Sequence, residues 1–271
     1  MKINWKLWAV LAVANLIASM ILLPYALALQ GDSASLTGGM MPEWAFNLFM
    51  LIAQVAQAVL LNAPLILLGL FLADRVGFGV PILSAWLRRE SAREPAQRMI
   101  KPVIIIGLAG GVLLVLLSYA MSALTEAEAL RLGYTIPDVA LPAPWKGFLA
   151  SISAGITEES LLRLFLMTFF VWLGAQIWRT PDGQPKAALV WGANILAALL
   201  FGALHFMNVA MIGLPFTPMI ILQILLLNGS IGVAFGWLYW KYGLESAMLA
   251  HFLVDVVLHV LVPLFAPALG V

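Results

Sequence analysis

The stretch GITEESLLRLFLM (residues 155–167) sets two adjacent glutamates and an arginine inside an otherwise apolar run. Gly147 to Thr157 carries no charge on the upstream side, and Leu164 to Trp178 carries none downstream. About 20 apolar residues suffice to cross a bilayer as a helix. The whole run therefore reads as a membrane span, and its three ionisable groups need a reason to be there.

The rest of the chain points the same way. Of 271 residues, 63% are hydrophobic and 10% charged, and the mean hydropathy is +1.02. Soluble domains are closer to about 45–50% apolar and about 25% charged. The apolar excess falls into seven runs, at about 7–29, 45–73, 102–124, 147–178, 187–208, 217–241 and 244–265. Each is long enough to span the hydrocarbon core at about 1.5 Å per residue. The expected fold is an all-α, polytopic integral membrane bundle of seven helices, or eight. No ten-residue alternation suggests a lipid-facing barrel. A net charge of +1 gives no footprint for nucleic acid, and the absence of cysteine removes disulfides and a thiol nucleophile.

The apolar stretch from Leu7 to Leu29 is longer than a signal-peptide core of about 7–15 residues. It reads as a retained first span, although Ala26-Leu27-Ala28 faintly resembles a cleavage site. With the N-terminus cytoplasmic, 11 of the 14 Lys and Arg residues fall on the inner side. They include Lys2, Lys6, Lys241 and the basic segment 75–101, while only Arg131 and Lys146 fall outside. That bias sets the orientation. Trp5, Trp44, Trp145, Trp178, Trp191 and Trp240 lie near span ends, as interfacial anchors do. Within 75–101, residues from Ile82 to Arg93 read either as an interfacial amphipathic helix or as a solvated loop. Pro64 is expected to kink the second span.

A charge near a helix centre costs about 2.5–3.5 kcal/mol on the insertion scale, so Glu158, Glu159, Arg163 and Asp255 together cost roughly 10–14 kcal/mol before pairing. That rivals the net stability of a whole domain, about 5–15 kcal/mol. Glu159 and Arg163 stand four apart in the favourable helical order. Glu158 has no such local partner. All three histidines, His205, His251 and His259, lie in spans or at their ends. His251 and Asp255, four apart, share one helical face, and His259 continues it.

These groups suit three chemistries, which spacing leaves open. A carboxylate in an apolar, partly dry site can act as a general base for water, with a histidine sharing that water and further donors holding an oxyanion. Carboxylates and imidazoles can also bind a divalent metal, or relay protons in a transporter.

Three motifs occur in order on successive spans: EESLLR (158–163), FGALH (201–205) and HFLVD (251–255). This EExxxR, FxxxH, HxxxD series resembles the type II CAAX prenyl protease family, also called the CPBP or Abi family of intramembrane glutamic proteases. The glycine-spaced GVAFGWLYWKYGLESAMLAH (232–251) resembles that family as well, and the likeness covers about 145–262. It implies two parts: N-terminal spans with a basic cytoplasmic loop in 1–144, and a catalytic membrane core in 145–271.

The function implied is an intramembrane endopeptidase acting on a membrane-associated peptide or lipidated protein, as a CAAX-type prenylated tail or a peptide leader. By resemblance, Glu158 is the base that activates water, assisted by His205. His251 and Asp255 stabilise the oxyanion or orient the substrate carbonyl, and Glu159 and Arg163 form a supporting pair. No cofactor is implied; the alternative is zinc held by Glu158, His205 and His251. The expected location is a bacterial or archaeal cell membrane, with lipid as the surroundings.

Two positions depart from the family pattern. Asp255 stands where Asn is commoner, and an ionised Asp cannot donate to an oxyanion, so it would need a proton or would orient His251. Leu164 stands where many members carry glycine. One expectation conflicts with the others: His205 lies about 18 residues into its span and His251 about seven into a parallel one, roughly 16 Å apart in depth. Their convergence requires a low fifth helix, a deep start to the last, or re-entry by 210–218.

The remaining polar and small residues read as structural. Gln54, Gln57 and Asn62 suit interhelical hydrogen bonds, and Gly232 and Gly236 suit close packing within the chain. The 12 methionines suit ordinary apolar filling.

Overall fold

The computed structural model describes residues 4–30, 38–137, 141–211 and 213–269. Lys2, most of the 31–43 connection and residues 138–140 lie outside them. The described chain is helical, with one isolated bridge between Arg179 and Pro185. The helices are α1 (Trp5–Gln30), α2 (Glu43–Val76), the short α3 (Pro81–Leu87) and α4 (Arg93–Leu132). Next come α5, which runs without interruption through Pro144–Glu159, Ser160–Met167 and Thr168–Gly174, and α6 (Ala187–Met211). Then follow α7 (Pro218–Tyr242) and α8 (Leu244–Phe265).

Six of these, all but α3 and α5, are long and apolar enough to cross a membrane, so the chain is a multi-pass membrane protein. The expectation was seven. The seventh, α5, has the length, but Lys146, Glu158, Glu159 and Arg163 interrupt its apolarity. Outward-facing side chains such as Ile52, Leu60, Leu113 and Leu116 stay exposed, as a lipid-facing surface requires.

Local chemistry sets the ends. Thr217 caps α7 by accepting from the Ile220 N–H, with Pro218 in the first turn. Gly243 ends it at φ 94°, a conformation that L side chains rarely adopt, and a Cβ there would meet Pro81 Cδ at 2.2 Å. Of the two readings of Ile82–Arg93, helix or loop, the structure has a helix over the first part, α3. It stops at Leu87, where Arg89 takes a positive φ of 58°, and Arg93 opens α4 instead. In α2 the chain takes a π-helical turn at Ala58–Asn62 just ahead of Pro64. The indole of Trp8 donates to the carbonyl of Ala63 there (2.8 Å). Among the described residues, Asn62 Oδ1 and Gln54 Oε1 have no hydrogen-bond partner.

Glycines bring the helices close. α6 and α7 pack antiparallel. Gly202 lies against Leu225, Gly232 against Ala198 and Phe201, and Gly236 against Asn194. α5 and α8 are also antiparallel, with Gly155 against Met248 and Gly147 against the backbone of His259. One apolar core joins residues of α1 and α2, including Leu11 and Ile66, to Leu162, Phe235 and Val254. The N-terminal helices thus pack directly on the segment that carries the charges.

Candidate active site

Helix α5 changes register at the charged residues. It is α-helical through Glu159 and π-helical from Ser160 to Met167. The wider turn places the Thr168 hydroxyl on the Arg163 carbonyl, five residues back (2.9 Å). Single π turns inside helices recur at functional sites. From α1, the fully buried Asn15 donates to the Ser160 hydroxyl (3.0 Å), which itself donates to the Ile156 carbonyl (2.7 Å). Helix α1 therefore braces the point where the register changes.

Five groups run in a line from this turn. Arg163 Nη1 lies 3.2 Å from Glu159 Oε1, and the same oxygen accepts from His251 Nδ1 at 2.8 Å. His251 Nε2 then faces Glu158 Oε2 at 3.9 Å and Asp255 Oδ2 at 3.6 Å. Arg163 also donates through Nη2 to the Gly232 carbonyl (2.8 Å). Its guanidinium lies near the rings of Phe201 (5.1 Å) and Phe235 (5.6 Å). Phe235 stacks on His251 with centroids 4.7 Å apart.

Exposure separates the two adjacent glutamates. The side chain of Glu159 is 0% exposed and that of Glu158 is 38% exposed. Buried charges persist only when paired and hydrogen-bonded; Glu159 meets that condition through Arg163 and His251. Among the described residues, Glu158 makes no side-chain hydrogen bond, and its approach to His251 is 3.9 Å.

His205 reaches the group indirectly. It closes the regular run of α6, and the chain resumes as a short helix over Phe206–Met211 before residues 213–217 link to α7. Its Nδ1 donates to the Phe201 carbonyl (3.0 Å), which leaves Nε2 free. The Phe201 ring touches both imidazoles, at 4.9 Å from His205 and 5.8 Å from His251. One phenyl ring thus lies against both imidazoles, which brings them closer than the expected difference in depth allowed. His259 is elsewhere: it continues the face of His251 but pairs through Nδ1 with the Tyr25 hydroxyl (3.1 Å).

Residues 140–257 match the family model described as type II CAAX prenyl endopeptidase, Rce1-like. The match contains all three motifs and every residue of the charged line. This segment is similar to that family. The Rce1-like family is a protease family, which is consistent with a hydrolase. No curated protein and no solved structure gives a match.

Within the Rce1-like segment, the departure at Leu164 has a structural counterpart. A Cβ on Gly69 of α2 would lie 2.6 Å from the Leu164 carbonyl oxygen. The close approach is kept, with the glycine on the facing helix. Asp255 lies beyond hydrogen-bond length of His251 but within ion-pair range. Among the described residues, no three His, Asp or Glu side chains converge in a way that could hold a metal ion. The donors proposed for zinc, Glu158, His205 and His251, do not form such a set.

Sequence reasoning paired Glu159 with Arg163 and missed its bond to His251, because the two residues are 92 positions apart. It also missed the Gly232 carbonyl and the ring of Phe235. The only available signal was that Gly232 and Phe235 fall in the glycine-spaced stretch already noted.

Proposed function

We propose that the chain is an intramembrane endopeptidase in which Glu158 activates water. The observation that carries this reading is the division between the two adjacent carboxylates. Glu159 is buried, with one carboxylate oxygen shared between Arg163 and His251, while Glu158 stands more than a third exposed beside His251. As the water oxygen attacks the scissile carbonyl carbon, Glu158 takes its proton. His205 Nε2, free because Nδ1 is given to Phe201, shares that water.

The carbonyl oxygen becomes an oxyanion, and a protonated His251 donates Nε2–H towards it. Asp255, 3.6 Å from that nitrogen, fixes the ring from the other side. The C–N bond then breaks as Glu158 returns the proton to the leaving amine. Glu159 and Arg163 act as positioning residues for His251. General base catalysis of this kind contributes about 10²–10⁴-fold.

The substrate is a membrane-associated peptide with a CAAX-type prenylated tail or a peptide leader. The N-terminus lies on the cytoplasmic side, which the basic residues favour. Water activation of this kind needs no resident metal. The test uses purified wild type and Glu158→Gln in detergent with a quenched farnesylated CAAX peptide, with and without chelator. Cleavage lost in the variant and indifferent to chelator is the expected result. Cleavage abolished by chelator and restored by zinc would replace this mechanism with the metal one, and full activity of the variant would overturn it.

A further inference from the structure

A cavity of about 410 Å³ lies at the opposite end of α7 from its Thr217 cap, outside the charged line. Its walls come from three places: the α2–α3 link at residues 77–80, the start of α4, and the α7–α8 turn. Ligand sites begin at about 300 Å³, so the space is large enough to hold a small headgroup.

Three cations line it, Arg88, Arg98 and Lys241, and no acidic residue does. Arg88 is partly neutralised by Glu90 at 2.9 Å. Among the described residues, Arg98 and Lys241 have no ion-pair partner within 4.0 Å. The ammonium of Lys241 rests 3.7 Å from the ring of Trp240, which also lines the cavity.

The frame is built rather than incidental. The Gly79 carbonyl accepts from the Leu244 N–H (3.0 Å), and Glu245 accepts from the Leu83 N–H (2.8 Å). These two bonds fasten the α2–α3 link and α3 to the α7–α8 turn. The floor is the buried Tyr239, edge-on to Phe78 at 5.2 Å and bonded through its hydroxyl to Thr168 (2.8 Å). The cavity opens on the end of the bundle that carries Lys6, Arg75 and Arg93 as well. By the basic-residue rule this is the cytoplasmic side, where anionic lipid is concentrated.

We propose that this cavity binds a phosphate-bearing anion, with Arg98 and Lys241 holding the phosphate and Arg88 closing over it. The geometry is that of a basic pocket between helix ends at an interface, which suits an anionic phospholipid headgroup or free phosphate. The site is independent of peptide hydrolysis and stands or falls without it.

The test is native mass spectrometry of the full chain released from detergent, titrated with phosphatidylglycerol, phosphatidylcholine or inorganic phosphate. Saturable binding of one phosphatidylglycerol, favoured over phosphatidylcholine, is expected. The double variant Arg98→Gln/Lys241→Gln is expected to bind it about 10-fold more weakly, given about 1 kcal/mol for each basic residue near an anionic surface. The double variant Lys6→Gln/Lys186→Gln, with the same change in charge outside the cavity, is expected to bind as wild type.

Gly79→Leu fills the cavity without removing a charge, because a Cβ at Gly79 meets nothing within 4 Å. It should also lose binding, so the proposal remains testable if the charge variant does not fold. Displacement of lipid by inorganic phosphate would identify the phosphate alone as the ligand; lipid binding that phosphate cannot displace would identify the headgroup. Equal binding by wild type and Arg98→Gln/Lys241→Gln, equal loss in the Lys6→Gln/Lys186→Gln control, retained binding in Gly79→Leu, or no saturable binding of either ligand would overturn it.

Discussion

The Nδ1 of His251 donates to Glu159 Oε1 at 2.8 Å, across two helices whose residues are 92 positions apart. Both side chains are buried, and the same carboxylate oxygen also faces Arg163. Glu159 is therefore the hinge of the buried charge line, while its neighbour Glu158 stays open.

That division predicts opposite phenotypes for two adjacent substitutions. Glu159→Gln leaves the Arg163 guanidinium buried without its counter-charge, and breaking a buried pair in this way costs about 3–5 kcal/mol. Thermal unfolding in detergent should show a marked drop. Glu158→Gln should unfold close to wild type, yet lose about 100-fold or more in kcat/KM. Matching unfolding curves for the two variants would contradict the assignment.

Phe201 is predicted to matter to turnover although it has no ionisable group. Its ring touches His205, His251 and the Arg163 guanidinium. Phe201→Leu keeps an apolar side chain but removes the aromatic contacts, worth about 0.5–1.5 kcal/mol each beyond area. The expected result is a fall of about 10-fold in kcat, with a smaller change in KM, measured on the same fluorogenic peptide.

Asp255→Asn should retain activity within about 10-fold of wild type, since Asn is the commoner residue in the family and keeps the shape beside His251. Asp255→Ala removes the group that flanks Nε2 and should fall further, by about 100-fold. Equal loss in both variants would assign the role to the negative charge itself.

Close helix contacts predict a graded series at glycines. Gly147→Ala would place its Cβ 2.0 Å from the His259 carbonyl oxygen, a backbone atom that moves only with α8. Gly236→Ala would meet Asn194 Oδ1 at 1.8 Å, but that is a side-chain atom. Overpacking costs typically about 1–3 kcal/mol, so both should lower the unfolding temperature. Asn194→Ala should rescue the second, and no single side-chain truncation should rescue the first.

Much of this fold was legible because apolarity sets the spans. The run expected at 187–208 is helical over Ala187–Met211, and that expected at 217–241 over Pro218–Tyr242. Boundaries moved where polar residues join helices, as Arg93 to Lys101 join α4. The six motif residues were legible as a set, since charges in an apolar run stand out. What spacing could not carry was their wiring. Whether His251 meets Glu158, Glu159 or Asp255 depends on the rotation of α5, and the π turn at Ser160–Met167 alters that rotation without an evident mark in the sequence. The expected 16 Å difference in depth does not hold, since both imidazoles lie against the one ring of Phe201.

Among the described residues, α5 is the one long helix too polar to count as a span by its own composition, and its partner His251 lies in α8, which is synthesised well after it. At about 2.5–3.5 kcal/mol per central charge, α5 is a poor client for insertion by itself. Biogenesis should therefore hold it at the edge of the translocation machinery until α8 emerges. Chains truncated after Tyr242 are predicted to leave α5 accessible to water-soluble labelling reagents, and full-length chains to protect it. The residues that make the charged line thus also set the order in which the bundle is assembled.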